Sequence, residues 1–552
     1  MDFKRLMAFF AVALVILLGW EKMFPGPKPT PAQQQAAQHS QPSAAAQGSN
    51  AAAPALGTAT PITVTTDTVK AVIDEKSGDL RKLTLLKYNA SSDEKQDFVL
   101  FDDSKTHTYA AQADLLNANG QSALKDVAFQ AQQRQYTLNG DKVEVRLSAP
   151  ETNGLNIDKV YTFSKDSYLI NIRFDVTNHS GAPVKLDAVY RVLRDNSKPD
   201  GEGYFNHTYT GPVVYTPSGK FEKVTFDDLD EDFQSGRQQA EYVRQTDSGW
   251  VGMIQHYFMS TWILQPKDGK TVCANGACQI DIQRTGNDLY AAGVRVPMPS
   301  IADNSTLNFP VGLYAGPQTT SIISKIADNL QLAKDYGKVH IFASPLFWLM
   351  NKLHDFVGNW GWAIVLLTII VKAVLYPLTN ASYRSMAKMR AVAPRLQALK
   401  DKFGDDRMAL QQAMMQMYKD EKINPLGGCL PMLLQIPVFI GLYWAIFSSV
   451  ELRQAPWIGW ITDLSRPDPW FILPIIMAVT MFIQTSLNPP PTDPIQAKMM
   501  KFMPLIFSVM FFFFPAGLVL YWVVNNILTI FQQWYINRSI EKQRAGGVVV
   551  SE

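Results

Sequence analysis

Lys372 stands inside an apolar run, Trp360 to Leu378, that is otherwise long enough to cross a bilayer. A lysine at the centre of a lipid-facing helix costs roughly 2.5–3.5 kcal/mol. Its ammonium therefore calls for a partner, a wet cavity or an escape to the interface. The chemistry on offer is electrostatic: a fixed cation that attracts carboxylates. Lys372 lies about 9 Å from Leu378 along a helix axis, so snorkelling to the interface is one reading. Neighbouring polar residues weigh against it. Thr368 falls one turn away on the same face, Gln435 interrupts a later apolar block, and Asn525, Asn526, Thr529, Gln532 and Gln533 load the last one. Asn526, Thr529 and Gln533 share one helical stripe. Amides alone can act as interhelical glue, worth about 0.6 kcal/mol. A cation among them points instead to a hydrated groove.

Covalent chemistry has little to draw on. The apolar blocks from Trp360 onward contain no Asp or His, and His107, His179, His207 and His256 are scattered among strand-like segments. No GxxxxGK[ST] phosphate loop occurs, and no second Cys or His pair accompanies Cys273 and Cys278 to hold zinc. Neither an enzyme, a cofactor nor a metal site is expected. A net charge of +2 gives no argument for nucleic acid.

The elements that must position these residues follow from segregated hydropathy. Apolar blocks recur at Leu6–Trp20, Trp360–Leu378, Cys429–Val450, Phe471–Leu487, Phe502–Phe514 and Leu518–Ile530. Several are shorter than the roughly 20 residues of an ordinary span, and prolines recur within them, which suggests a compact, irregular bundle in a thinned bilayer. Lys4 and Arg5 before the first block leave a cleaved signal peptide or an uncleaved anchor, and the absence of a small-x-small site after Trp20 favours the anchor. The segment Thr379–Gly428 holds nine Lys/Arg against five Asp/Glu, whereas Glu451–Trp470 holds two against three. By the positive-inside rule both termini are cytoplasmic and six spans result.

Residues 25–61, rich in Ala, Gln, Pro and Ser, read as a flexible linker. From Ile62 the period changes to two, as in Tyr168–Val176, and many such strands predict a large exported antiparallel β-sandwich. Thr320–Tyr336 has helical spacing and closes that domain, 62–340. Cys273 and Cys278 flank Asn275-Gly276, a type I′ hairpin signal that puts the two thiols within disulfide range; reduced small residues in a hairpin are the alternative. Pro345–Val357, within an expected interfacial element at 341–358, is amphipathic and too short to span. Between the second and third blocks, 379–428 reads as two antiparallel helices, Ala381–Lys402 and Asp406–Glu421, with Gly404 ending one and Asp405 capping the next. Met386, Met389, Met408, Met414, Met415 and Met417 give this hairpin pliable apolar surface suited to arriving client segments, although ordinary packing explains many of them.

The runs WAIVLLTIIVKAVLYPLT, NPLGGCLPMLLQIPVFIGLYW and FPAGLVLYWVVNNILTIFQQ together resemble the YidC membrane protein insertases. The shared core covers about 342–544, and the N-terminal anchor and exported sandwich resemble the Gram-negative form. The resemblance implies a polytopic α-helical inner-membrane protein. Its expected parts are a signal-anchor span (1–24), a periplasmic domain, and a core at 359–540 with spans near 360–378, 429–450, 471–487, 502–514 and 518–534. A cytoplasmic tail, 541–552, completes it. It also implies a groove open to cytoplasm and lipid, whose single positive position is Lys372 where relatives most often carry arginine. Gln435, Tyr521, Asn525, Asn526, Thr529 and Gln533 fall at the matching substrate-contacting positions, and Trp522 stands where a second tyrosine is frequent. The implied partners are nascent membrane proteins, the Sec translocon, membrane lipids and, through the hairpin, the ribosome. Rival readings are a secondary transporter or channel for small solutes, an intramembrane enzyme, and a structural Sec subunit.

Overall fold

The computed structural model describes residues 61–545 except 91–94, 105–106, 126, 201–207, 237–239, 275, 287, 335, 337–338, 405, 422–429 and 488–507. The N-terminal anchor, most of the linker, His207 and Cys429 therefore lie outside the described residues. Chain contacts divide the molecule into two compact units that meet in sequence between Asp335 and Tyr336.

The first unit is built from two large sheets. In spatial order the ten-stranded sheet runs Gln245–Thr246 (β14), Cys278–Gly286 (β17), Leu289–Pro297 (β18), Asp187–Asp195 (β11), Thr108–Leu116 (β5), Asp97–Asp103 (β4), Leu80–Asn89 (β3), Val69–Asp74 (β2), Pro61–Thr65 (β1) and Gln135–Thr137 (β7). The nine-stranded sheet runs Lys220–Lys223 (β13), Gly211–Thr216 (β12), Trp250–Gln255 (β15), Phe258–Ile263 (β16), Ser305–Pro317 (β19), Leu169–Asn178 (β10), Leu155–Ser164 (β9), Lys142–Ser148 (β8) and Gln130–Ala131 (β6). Pairing is antiparallel except between β1 and β7. Strict alternation of buried and half-exposed positions along β10 is the period-two pattern that the sequence predicts.

Aromatic and polar contacts join the sheets. The rings of Tyr190 on β11 and Trp262 on β16 stand 5.0 Å apart, and Tyr109 on β5 shares a 2.7 Å hydrogen bond with Ser260 on β16. Gly252 on β15 has no room for a side chain, since a Cβ would meet the Ser260 carbonyl at 2.0 Å. A charged network is also sealed inside. Arg81 on β3 pairs with Asp103 on β4 at 2.5 Å. Lys159 on β9, fully buried, reaches across to Asp79 at 3.5 Å and donates to the Ala113 carbonyl at 2.9 Å. Burial pushes the Lys159 ammonium below its ordinary pKa, against the pull of Asp79 and Asp114.

Local signals were overridden at several places. Cys273 and Cys278 are joined, with an S–S distance of 2.05 Å, yet no hairpin flanks them. The preceding strand, β16, belongs to the nine-stranded sheet, whereas β17 pairs with β14 and β18 in the other. The cysteines thus close a turn that passes between sheets, and Asn275 itself lies outside the described residues. Nor is 320–336 one helix. A short helix at Thr320–Ile323 and a 3-10 turn at Leu330–Ala333 replace it. Lys267 takes the Ile326 carbonyl with its backbone N–H, and Asn329 adopts a left-handed φ of 58° while its amide bonds Tyr215. One exposed acidic helix, Phe226–Ser235 (α1), is fixed by a Thr225–Asp228 capping box.

The second unit is helical: His340–Val357 (α2), Trp360–Ala391 (α3), Ala393–Phe403 (α4), Arg407–Asp420 (α5), Leu430–Phe447 (α6), Ile472–Leu487 (α7) and Ala516–Ala545 (α8). Three boundaries differ from expectation. The amphipathic helix begins at His340 and carries Pro345 inside it. Helix α3 does not stop near Pro377 but continues to Ala391. Within the turn that holds Pro377, the Thr379 hydroxyl donates back to its own helix, 2.8 Å from the Leu375 carbonyl and 3.1 Å from that of Tyr376. Asp406, not Asp405, caps α5 by accepting from the Ala409 N–H at 3.0 Å. Of the block at 502–514 the structure describes only a helical end at 508–510 and a 3-10 turn, Phe511–Phe513.

Helix α3 packs on α8, which also packs on α7; α2 packs on α6 and α3. Gly441 lets α2 approach closely, since a Cβ there would meet the Cβ of Phe342 at 2.8 Å. A core of Ile364, Leu367, Ile446, Met477, Val519 and Leu520 is almost fully buried. Among the described residues one helix, Trp360–Arg384, is long and apolar enough to cross a bilayer, while Gln435–Phe447 and Ile472–Leu487 are apolar but shorter.

Candidate functional site

The helical unit turns its apolar groups outward. Ile369, Ile370 and Val374 on α3, Ile475, Val479, Phe482 and Ile483 on α7, and Ile527, Phe531 and Trp534 on α8 are exposed. A soluble surface does not carry so much contiguous apolar area, whereas lipid-facing helices must. On α2, Ile341, Trp348 and Phe356 are exposed, opposite buried Ala343, Phe347 and Met350. The rings of Trp362 and Trp457, and of Trp460 and Trp470, pair near the helix ends, as aromatic residues do at membrane interfaces.

Polar groups point the other way, and α8 is their spine. Asn525, Asn526, Thr529, Gln532 and Gln533 are all buried. Each of three neighbouring helices receives at least one of its bonds. Lys372 on α3 donates to the Thr529 hydroxyl at 2.7 Å, and Thr529 donates onward to the Asn525 carbonyl at 2.7 Å. Gln532 donates to Thr379 on α3 at 2.9 Å. Asn526 donates to Thr480 on α7 at 3.3 Å, and Gln533 to the Leu487 carbonyl at 3.2 Å. Gln435 on α6 donates to the Tyr521 hydroxyl. From Tyr521 to Gln533 this spine extends about 18 Å along the axis, more than half of a hydrocarbon core about 30 Å thick.

Lys372 is half-buried rather than sealed. Its ammonium has three donors, and among the described residues Thr529 accepts one. Two remain for water or an incoming carboxylate. One turn away, the Asn525 side-chain oxygen is buried without a hydrogen-bond partner among the described residues, a cost of about 1–3 kcal/mol unless water reaches it. The arrangement can bind and attract; among the described residues the spine brings together amides, hydroxyls and one ammonium.

Two expected residues sit elsewhere. The Thr368 hydroxyl turns back to the Ile364 carbonyl at 2.7 Å and is buried. Trp522 joins an aromatic cluster with Phe439, 5.0 Å away, and Phe511, 5.6 Å away, rather than the polar spine. Thr379, Tyr383 and Thr480 were missed. Tyr383 bonds the Thr529 hydroxyl, and Thr480 was visible as a polar residue in an otherwise apolar block. In the hairpin, α4 packs against α5 and Arg395 pairs with Glu421. Met408 and Met415 are exposed, Met414 and Met417 are half-buried, and the side chains of Met386 and Met389 lie outside the described residues.

An inside-out helical unit with a polar spine, and a β-rich unit on the same chain, define a membrane protein with a large domain outside the bilayer. Two families match in tandem: the YidC periplasmic domain over residues 61–349 and the 60Kd inner membrane protein over 352–543. The membrane protein insertase YidC of Neisseria meningitidis serogroup B is 71% identical over 551 residues, covering 100% of both chains. That of Neisseria gonorrhoeae is 72% identical over the same share, and that of Laribacter hongkongensis 52% over 99% of each. A crystal structure of an active YidC insertase with its first transmembrane domain resolved is 17% identical, covering 87% of this chain and 94% of its own with a TM-score of 0.40. On its family matches and relatives, this chain belongs to the YidC family of membrane protein insertases. It is an inner-membrane protein with a periplasmic β-rich domain, and its clients are nascent membrane proteins.

Proposed function

We propose that insertion runs through a hydrated groove built on the α8 spine and open to the cytoplasm, with Lys372 as its electrostatic anchor. The observation that carries this reading is the 2.7 Å bond from Lys372 to Thr529 inside a bundle whose exterior is apolar. Water in the groove shortens the apolar distance that a client's hydrophilic segment must cross. Lys372 draws acidic residues of that segment inward, while the apolar part slides into lipid and hydrophobic transfer drives release. The membrane potential adds about 2.3 kcal/mol per charge per 100 mV.

The proposed topology has six spans: the anchor at 1–24 and five forming the core, with both termini cytoplasmic. The exported domain spans 62–340, with 25–61 as its tether and 341–358 lying in the interface. The 379–428 hairpin, through Met408 and Met415, receives clients as they arrive and offers a ribosome contact. The insertase works alone or beside the Sec translocon. Site-specific crosslinking to a stalled nascent membrane protein tests the groove. Probes at Lys372, Gln435 and Thr529 should react, and probes at lipid-facing Val374 and Val479 should react much less with the hydrophilic segment. Equal yields on every face would remove the groove.

A further inference from the structure

Two passages near Cys273 carry the chain of the periplasmic domain from one sheet to the other. β14 in the ten-stranded sheet leads to β15 in the nine-stranded one, and β16 leads back to β17. The passages are tied together, because the Thr271 hydroxyl donates to the Asp247 carbonyl. Within the second, the Val272 N–H donates to the Leu264 carbonyl at 2.9 Å and the Cys273 N–H to the Thr271 hydroxyl at 3.1 Å. The Cys273–Cys278 bond closes its far end, where β17 begins at Cys278.

The strand that docks there is short. β14 pairs with β17 over two residues, Gln245 with Gln279 and Thr246 with Cys278. On one side of that pair the Ile280 N–H donates to the Arg244 carbonyl at 2.7 Å, and the Ile282 N–H donates to the Tyr242 hydroxyl at 3.0 Å. Residues 242–246 thus lie along the strand that Cys278 starts. In the result both cysteines are sealed: Cys273 is 5% exposed and Cys278 0%, while Ala274, Gly276 and Ala277 beside them are exposed.

Thiol–disulfide exchange requires that an attacking sulfur reach its target, and the folded domain denies that access. The chain leaves a compartment that keeps thiols reduced and enters one where disulfides persist. We propose that Cys273 and Cys278 are a modification site for a disulfide-bearing periplasmic oxidant, which acts after export and before β14 docks on β17. The Cys273 thiolate attacks the oxidant's disulfide and displaces one of its sulfurs as a thiolate. The Cys278 thiolate then attacks Cys273 Sγ, and the oxidant leaves as a dithiol carrying the two electrons and the two thiol protons. Once sealed, the bond is a staple set a single time, not a switch.

Full-length Cys429→Ser protein in lipid vesicles provides the test, since it leaves these two thiols alone. The domain is unfolded in urea with reductant, the reductant is removed, and oxidant is supplied either at dilution or after refolding. Oxidised glutathione and a thioredoxin-fold Cys-x-x-Cys oxidant are compared, and the faster identifies the source. Acid-trapped thiols are counted by the mass shift of a maleimide polymer. Oxidation should be about tenfold or more faster when the oxidant is present from the start, because access is then open. Native oxidised protein, which needs no refolding, should keep its bond in a phosphine reductant that cleaves it in urea. In Cys273→Ala with Cys278→Ala, deuterium uptake of residues 242–246 should rise about tenfold, as loss of a closed loop predicts. Equal oxidation at both times, ready reduction of the native protein, or unchanged exchange at 242–246 would each overturn the proposal.

Discussion

Lys372 and Thr529 lie 157 positions apart in the chain and meet at 2.7 Å, joining α3 to α8 in the polar interior. Thr529 orients the ammonium and spends its own proton on the Asn525 carbonyl. Its hydroxyl oxygen is therefore the acceptor that meets Lys372, and Tyr383 bonds the same hydroxyl.

Thr529→Val should leave the cation without its positioning acceptor. A hydrogen bond to a charged group is worth about 1.5–3 kcal/mol, so insertion of clients with acidic exported segments should slow about tenfold or more. Clients with uncharged segments should be affected less. Protease-protection rates for matched acidic and neutral clients make the comparison, and equal slowing of both would detach Thr529 from the electrostatic role.

Gln435 and Tyr521 tie α6 to α8. A double-mutant cycle with Gln435→Leu and Tyr521→Phe should return a coupling of about 0.6–1.7 kcal/mol, the range for hydrogen bonds between membrane helices. Equilibrium unfolding in mixed micelles reads it. A coupling indistinguishable from zero would show that the pair adds no stability across the bundle.

Lys159 links the two sheets of the periplasmic domain through Asp79. Lys159→Met should destabilise that domain by about 3–5 kcal/mol, because it strips a partner from a buried carboxylate. Adding Asp79→Asn should restore part of the loss. Chemical denaturation followed by tryptophan fluorescence measures both, and a neutral single variant would contradict the network.

Asp195 gives the same domain an acid limb. Burial alone would raise its carboxyl pKa, but hydrogen bonds from His107, Ser197 and the Thr108 N–H outweigh burial and hold it well below the usual carboxylate range. A depressed folded pKa contributes stability that is complete above the unfolded value, about 3.9, and is lost as pH falls below it toward the folded value. Asp195→Asn should therefore lower stability near neutrality by on the order of 2 kcal/mol and flatten its fall below about pH 4. Parallel curves for both proteins would remove Asp195 from the acid response.

Much of this was readable in the residues. The β-sandwich announced itself through alternation such as that of β10, because one face of each strand must be buried. Lys372, Asn526, Thr529 and Gln533 were legible because polar side chains are conspicuous in apolar runs. What failed depended on distant parts of the chain. Asn275-Gly276 is a strong local hairpin signal, yet β17 found its partners in β14 and β18. The helix expected at 320–336 lost a carbonyl to Lys267 and was broken by left-handed Asn329. Pro377 did not end α3, which runs on to Ala391, because a proline inside a membrane helix removes one hydrogen bond without stopping the helix where neighbouring helices hold it. Thr368 and Lys372 share a helix face, but the Thr368 hydroxyl bonds its own helix at Ile364 while Lys372 bonds Thr529 on α8.

Whether the charge at position 372 acts on the client can be read in proteoliposomes holding the purified protein alone. A single-span client with an acidic exported segment is offered to wild type, Lys372→Arg and Lys372→Glu, and inserted client is scored by protease protection. Wild type and Lys372→Arg should insert it comparably, while Lys372→Glu should fail. Equal insertion by all three would mean that the charge at 372 plays no part in drawing the client in.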